Sequence, residues 1–238
     1  MGALHSRVNQ RLGLRSDMVA CVIRGHISGS GLLSVQTAGT EGAELIVFPE
    51  TFLPGYPYFA ITHDPTETAP FLARLRENAV RIPSRATEQP CKAARDAGCI
   101  VAMGVNELEG GTLYNSQLLI DETGKILGVR RKLVPTNHRV IATSILTDDI
   151  LKALGNGGCV SKFRTGGGRS MIVDPRGKVL AEALPDEETI LYAELDFDDI
   201  AKAKMVVDSC GHYSRPDVLS LQLDSRKKRP LQITREPD

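Results

Sequence analysis

The 238-residue chain has no tryptophan and only 5 tyrosines and 6 phenylalanines. Platforms for stacking nucleic-acid bases need aromatic faces, so this scarcity argues against a single-strand binder. An excess of either charge is also missing: Lys plus Arg is 29, Asp plus Glu is 29, and the net charge is zero. Partners held through bulk charge, such as a nucleic-acid backbone or an anionic membrane, do not fit that balance. The cysteines, Cys21, Cys91, Cys99, Cys159 and Cys210, are odd in number and form no Cys-x-x-Cys pair. Neither a disulfide framework nor a zinc ribbon is built that way, and a reducing, cytoplasmic setting suits the pattern. His5, His26, His63, His138 and His212 never fall at ligand spacing, so no metal site is expected. There is no long hydrophobic run. The most apolar stretch, Leu45 to Ile61, contains Glu50, Pro49, Pro54 and Pro57, which argues against a membrane span. The first twenty residues carry Arg7, Arg11 and Arg15 with no apolar core behind them, which does not read as a secretory leader.

What is present is ordinary globular material, with 42% hydrophobic and 24% charged residues. A chain of this length buries roughly 70–75% of its unfolded surface on folding, enough to dispense with staples. Met18–Ile23 and Ala43–Phe48 read as strands, the second apolar throughout and stopped by Pro49. Gly25, Gly29 and Gly31 break whatever lies between them. A helical spacing covers Pro70–Val80. Ser84 is placed to cap a helix that ends at Gly98, with Pro90 expected to kink or shorten it. Cys99–Val105 is a further buried strand. Gly110–Gly111 then turns the chain into a strand over Leu113–Ile120, and Asp121–Gly124 turns it back into Lys125–Arg131. The text DETGKIL at 121–127 returns as DPRGKVL at 174–180, which suggests two related halves of one fold. A strand over Thr189–Leu195 and an amphipathic helix over Asp198–Val206 follow. Strands alternating with helices and interrupted by hairpins give the α/β class with a mixed sheet. Residues 1–17 read as a poorly ordered segment, 18–224 as one domain, and 225–238 as a tail whose RKKR cluster reads as a solvated arm.

Several short patterns carry no chemistry on inspection. Gly29-x-Gly31 has Ser34 where a dinucleotide fingerprint needs its third glycine, and no acidic residue is well placed after it. Gly166–Gly168 precedes a strand, Arg169–Val173, whereas a phosphate cradle needs a helix. No Gly-x-Ser-x-Gly elbow occurs. No cofactor is expected.

The informative segment is GAELIVFPETFLPGYP at 42–57. Glu50 follows an apolar strand at its C-terminal end, where parallel sheets open their ligand crevices. Partial desolvation there would raise its pKa toward the range of a general base; a solvated loop glutamate is the plain alternative. Lys132, in RRKLVPT, stands at the end of another strand and could pair with Glu50 to tune a nucleophile, or be a surface lysine. Tyr56, Tyr58 and Phe59 could line a substrate pocket or pack in the core.

The chain resembles the nitrilase family of carbon–nitrogen hydrolases, on its nitrilase branch. GAELIVFPETFLPGYP looks like that family's glutamate signature, and GVNELEGGTLYNSQLLIDETGKILGVRRKLVPT is similar to the segment leading into its catalytic lysine. GGGRSMIVDPRGKVLAEALPDEETILYAELDFDDIAKAK and DSCGHYSRPDVLSL look like the C-terminal half. The resemblance runs from about Glu41 to Asp224. It implies an αββα sandwich and a Glu, Lys and Cys triad that converts a small-molecule nitrile and two waters to a carboxylic acid and ammonia through a covalent thioimidate. Glu50 matches the general base, and Lys132 the cation that stabilises the anionic intermediate and favours the thiolate. The nucleophilic cysteine has no counterpart, because Pro135-Thr136 runs directly into Asn137–Ser144, which resembles sequence well downstream of it. The resemblance therefore implies an internal deletion of many tens of residues, with its junction near 136–139. Cys159, in GNGGCV, is the one cysteine that could substitute. Cys91 and Cys99 read as packing thiols and Cys210 as structural. His212 and Tyr213 are expected to pack the C-terminal region. Homo-oligomers are implied, and a second reading follows: a shortened homologue that binds or co-assembles with intact nitrilases without turnover.

Overall fold

The computed structural model describes residues 17–24, 30–57, 59–62, 64–133, 170–184 and 187–207, with isolated positions between 211 and 220. In chain order its elements are β1 (Asp17–Arg24), α1 (Ser30–Thr40), β2 (Leu45–Val47), α2 (Phe59–Thr62), α3 (Pro65–Glu77), α4 (Arg85–Ala97) and β3 (Ile100–Glu109). They continue with β4 (Thr112–Ile120), β5 (Ile126–Arg131), β6 (Met171–Val173), β7 (Val179–Glu182), β8 (Thr189–Asp196) and α5 (Asp198–Val206). Six strands form one mixed sheet in the order β5-β4-β3-β2-β1-β8, and β6 pairs with β7 in a second. The β1, β2 and β3 pairings are parallel. The β3–β4, β4–β5 and β1–β8 pairings are antiparallel.

Pattern explains the layering. Val101, Met103 and Val105 of β3 lie in register with Ile120, Leu118 and Ser116 of β4, so they share one face of the sheet. Ile46 and Cys21 extend that face across β2 and β1. The same core takes Val35 and Ala38 from α1 and Ala93 and Ala94 from α4. Helices on one face of a mixed sheet, with a second sheet present, are the α/β class and agree with the expected αββα sandwich. β3 is buried on both faces from Ile100 to Leu108. It is the strand from which the candidate site is built.

Several local expectations are met and several corrected. Gly98 caps α4 in the left-handed region at φ 65°, and Ser84 holds its N-cap. Pro90 does not shorten α4, which runs through it to Ala97; the burial of Pro90 with Ala93 and Ala94 offsets the lost hydrogen bond. The glycine-rich stretch after β1 gives way to a helix, α1, because Val35 and Ala38 at helical spacing find the core. The helix expected over 70–80 starts earlier, at Pro65, since Asp64 accepts from the Thr66 N–H at 2.9 Å and caps it. Val80 instead bridges to Glu107 beside β3. α5 forms where expected, yet none of its residues is buried, and Met205 is 81% exposed.

The repeated text folds into one turn twice. Asp121 Oδ1 accepts from the Thr123 and Lys125 N–H groups, and Asp174 Oδ1 from those of Arg176 and Lys178. Gly124 (φ 81°) and Gly177 (φ 89°) take the left-handed position of each. Residues 134–169 and 221–238, with Cys159, Cys210, His212, the junction near 136–139 and the tail, lie outside the described residues, as does the segment 1–16. Tyr213 is 65% exposed. No helix among the described residues is long and apolar enough to cross a membrane.

Gly104, in the middle of β3, has no room for a side chain. A Cβ there would lie 2.2 Å from the Pro49 carbonyl oxygen and 2.5 Å from the Thr51 nitrogen. Gly104→Ala should lower stability by about 2–3 kcal/mol, as overpacking against backbone does, seen as a lower thermal midpoint. Gly128→Ala, where a Cβ meets nothing within 4 Å, should leave the midpoint nearly unchanged.

Candidate active site

The site begins with an irregularity between β2 and β3. Val47 pairs with Ala102, and the next bridge joins Leu53 to Val105. Residues 48–52 must therefore fit opposite Met103 and Gly104 alone, and the surplus chain arches away from the sheet. Both feet of the arch are fixed. The Phe48 N–H donates to Ala102 O at 2.8 Å, the Leu53 N–H to Gly104 O at 3.1 Å, and the Asn106 N–H to Leu53 O at 2.7 Å. Phe48 and Phe52 enter the core on either side with ring centroids 4.8 Å apart. Asn106, 2% exposed, donates its side-chain amide to Gly55 O at 2.7 Å and ties down the chain beyond. Thr51 sits fully buried at φ 49°, a left-handed conformation unusual for a β-branched residue. Glu50 rides the top of this arch.

Lys132 reaches the same place from β5. Its N–H donates to Asn115 O at 2.8 Å, extending the β4–β5 pairing by one residue. The preceding residue, Arg131, is committed to the other face of the sheet. Its Nε donates to Glu107 Oε2 at 2.9 Å, one terminal nitrogen donates to Glu107 Oε1 at 2.6 Å and also to Glu109, and its guanidinium lies 3.7 Å from the centroid of the Tyr114 ring. Strand alternation then sends Lys132 to the side of Glu50.

There the Lys132 ammonium donates to Glu50 Oε1 at 2.7 Å, and the Asn115 amide donates to the same oxygen. No donor among the described residues engages Oε2. The carboxylate is held by one oxygen and has the other available to take a proton from a neighbouring group. The Glu50 side chain is 42% exposed and that of Lys132 36%. In that setting an ion pair adds little to stability and serves to orient its members.

A cleft of about 410 Å³ opens over the pair, lined by Phe48, Pro49, Glu50, Asn115, Gln117, Arg130, Lys132 and Leu133 among others. Tyr56, half-buried beyond the arch, is not among the lining residues. Tyr58 lies outside the described residues. None of the described cysteines lines the cleft either. Burial pushes the Cys21 thiol up to about 12, with Cys99 adding to the effect. Burial raises Cys91 against the pull of Arg95, and burial with Glu44 raises Cys99, whose thiol donates to Ala43 O at 2.9 Å. These are protonated packing thiols. Among the described residues no cluster of three His, Cys, Asp or Glu is placed to hold a metal.

Sequence reading missed Asn115, Gly104 and the Arg131–Glu107 pair. Asparagine and glycine are poor strand formers, and each in mid-strand was a signal that something other than packing selected it.

Glu107 supplies a pH-dependent element. Burial pushes its carboxyl up, but hydrogen bonds from Arg131 and from Ser116 (2.7 Å), with the Arg131 charge, outweigh burial and hold it below the ordinary glutamate range. A depressed folded-state pKa contributes stability that is fully present above the unfolded value and lost as pH falls through the folded one. Glu107→Gln should cost about 2 kcal/mol at neutral pH, less than a fully buried pair because Arg131 keeps Glu109. It should also flatten the acid limb of a stability-versus-pH curve from chemical denaturation.

The carbon–nitrogen hydrolase family model matches residues 25–156 and 150–205. A nitrilase of Paraburkholderia phymatum is 28% identical over 83% of this chain and 82% of its own length. An aliphatic nitrilase of Rhodococcus rhodochrous is 30% identical over 83% and 78%. Among solved structures, a carbon–nitrogen hydrolase from Helicobacter pylori superposes with a TM-score of 0.55, at 15% identity over 81% of this chain and 94% of that one. Saccharomyces cerevisiae Nit3, of the nitrilase superfamily, gives 0.51 at 18% identity over 83% and 96%. These two structures share the fold.

Proposed function

The chain belongs to the carbon–nitrogen hydrolase family, and from that premise we propose that its cleft is the substrate site of a nitrilase-type hydrolase that takes a small nitrile and two waters to a carboxylic acid and ammonia. The observation that carries this reading is the convergence of Lys132 and Asn115 on one oxygen of Glu50 at the floor of the cleft. In this scheme Glu50 removes the proton of a cysteine thiol through Oε2 as sulfur bonds to the nitrile carbon. The nitrile π electrons move to nitrogen, which is protonated to give the thioimidate. Water adds to that carbon, ammonia leaves, and a second water cleaves the acyl–sulfur bond, releasing the acid and restoring the thiol. Lys132 stabilises negative charge as it develops on the substrate.

The thiol must come from outside the described residues, and Cys159 is the candidate. A second reading, binding or co-assembly with intact homologues without turnover, is favoured by a specific observation: Cys21, Cys91 and Cys99 are all absent from the cleft. The comparisons lend support to a missing segment. The alignment with the Paraburkholderia phymatum nitrilase runs over 277 positions although only 83% of this 238-residue chain takes part. Many tens of positions in that alignment thus have no residue of this chain.

Ammonia release by the purified chain on a panel of aliphatic and aromatic nitriles separates the readings. Hydrolysis is expected to fall by about a hundredfold or more in Lys132→Ala, to vanish on thiol blocking, and to vanish in Cys159→Ala. A cooperatively folding sample that releases no ammonia on any nitrile would overturn the hydrolytic reading in favour of the second.

A further inference from the structure

Three consecutive cations, Arg130, Arg131 and Lys132, stand at the end of β5, and among the described residues only two have carboxylate partners. Arg131 is held by Glu107 and Glu109, and Lys132 by Glu50. Arg130 is exposed, lines the cleft, and has no carboxylate partner among the described residues. The ladder fixes its direction. Arg130 lies opposite Gln117 in the β4–β5 pairing, and Lys132 is joined to Asn115 two residues further along. Residues paired or spaced by two share a face, so Arg130 and Gln117 stand beside Lys132 and Asn115, one step along the same cleft.

Resting on the reading of this cleft as a nitrile site, we propose that Arg130 and Gln117 form an anion subsite, so that the substrate class is a short aliphatic nitrile carrying a carboxylate at its far end. The guanidinium fork matches a carboxylate in bidentate fashion, and the Gln117 amide adds a donor. Two residues of strand separate this subsite from Lys132 by about 6.5 Å, the span of a few methylenes. Pro49 and Leu133 supply apolar wall for those methylenes. The cleft volume of about 410 Å³ is that of a small-ligand site. The neutral nitrile end lies at Glu50 and Lys132, which spares the substrate a repulsion from the Glu50 carboxylate.

Binding to the full chain tests this without any turnover. ω-Cyanovalerate and its methyl ester are titrated by calorimetry or ligand-observed NMR into the native chain, Arg130→Gln and Arg130→Lys. The acid is expected to bind about tenfold more tightly than the ester to the native chain, with a preference that weakens as salt is added. Arg130→Gln should erase the preference, and Arg130→Lys should keep part of it. Equal affinity for acid and ester, no saturable binding of the acid, or a preference that survives Arg130→Gln would each overturn the subsite and leave Arg130 as a solvated edge-strand cation. Acid preference without ammonia release would uphold the subsite while hydrolysis fails. Ammonia release without acid preference would remove the subsite alone.

Discussion

The approach of the 49–51 backbone onto Gly104 is the contact on which the site depends. A pair of parallel strands in regular register would keep residue 50 in the ladder, its side chain on one face among the core. Here the register changes by several residues between the Val47–Ala102 pair and the Leu53–Val105 bridge. The surplus can arch outward only because β3 offers no side chain beneath it. The two phenylalanines anchor the arch, and a buried threonine takes an unfavoured φ to complete it. The packing of the sheet against α1 and α4 thus holds a carboxylate above the sheet and in reach of a second strand.

From that placement the electrostatics follow in order along β5. Arg131 satisfies two glutamates on the core side and fixes the strand end. Lys132 then has to emerge beside Glu50, and Arg130 shares its side of the strand. The Arg131–Glu107 pair is largely buried and contributes to structure, whereas Glu50 and Lys132 are near 40% exposed and contribute little to it. A pair so placed orients its two members and adds little to the fold. The buried thiols at Cys21 and Cys99 belong to the opposite category, as packing groups whose protons burial retains.

The sequence made most of the strands, the α4 caps and the repeated Asp–Gly turn legible, because each rests on local chemistry that acts within a few residues. Asp121 and Asp174 close their turns with hydrogen bonds to backbone two and four positions on, so the shared Asp and Gly fold the two segments alike. What escaped was set by distant contacts. α1 is hidden by its glycines until a core is there to receive Val35 and Ala38. α5 has helical periodicity but no neighbour to cover it among the described residues. Glu50 and Lys132 were identifiable as candidates through family resemblance. Their actual contact depends on Gly104 and Asn115, whose roles no local pattern states.

The Glu50–Lys132 ion pair is the contact on which the proposed chemistry rests. A double-mutant cycle of Glu50→Gln and Lys132→Met, read by chemical denaturation at low and high salt, tests it most directly. The expected result is a coupling energy of about 0.5 kcal/mol that shrinks as salt is raised. Strictly additive effects at both salt concentrations would contradict the claim and leave the two residues as independent surface charges.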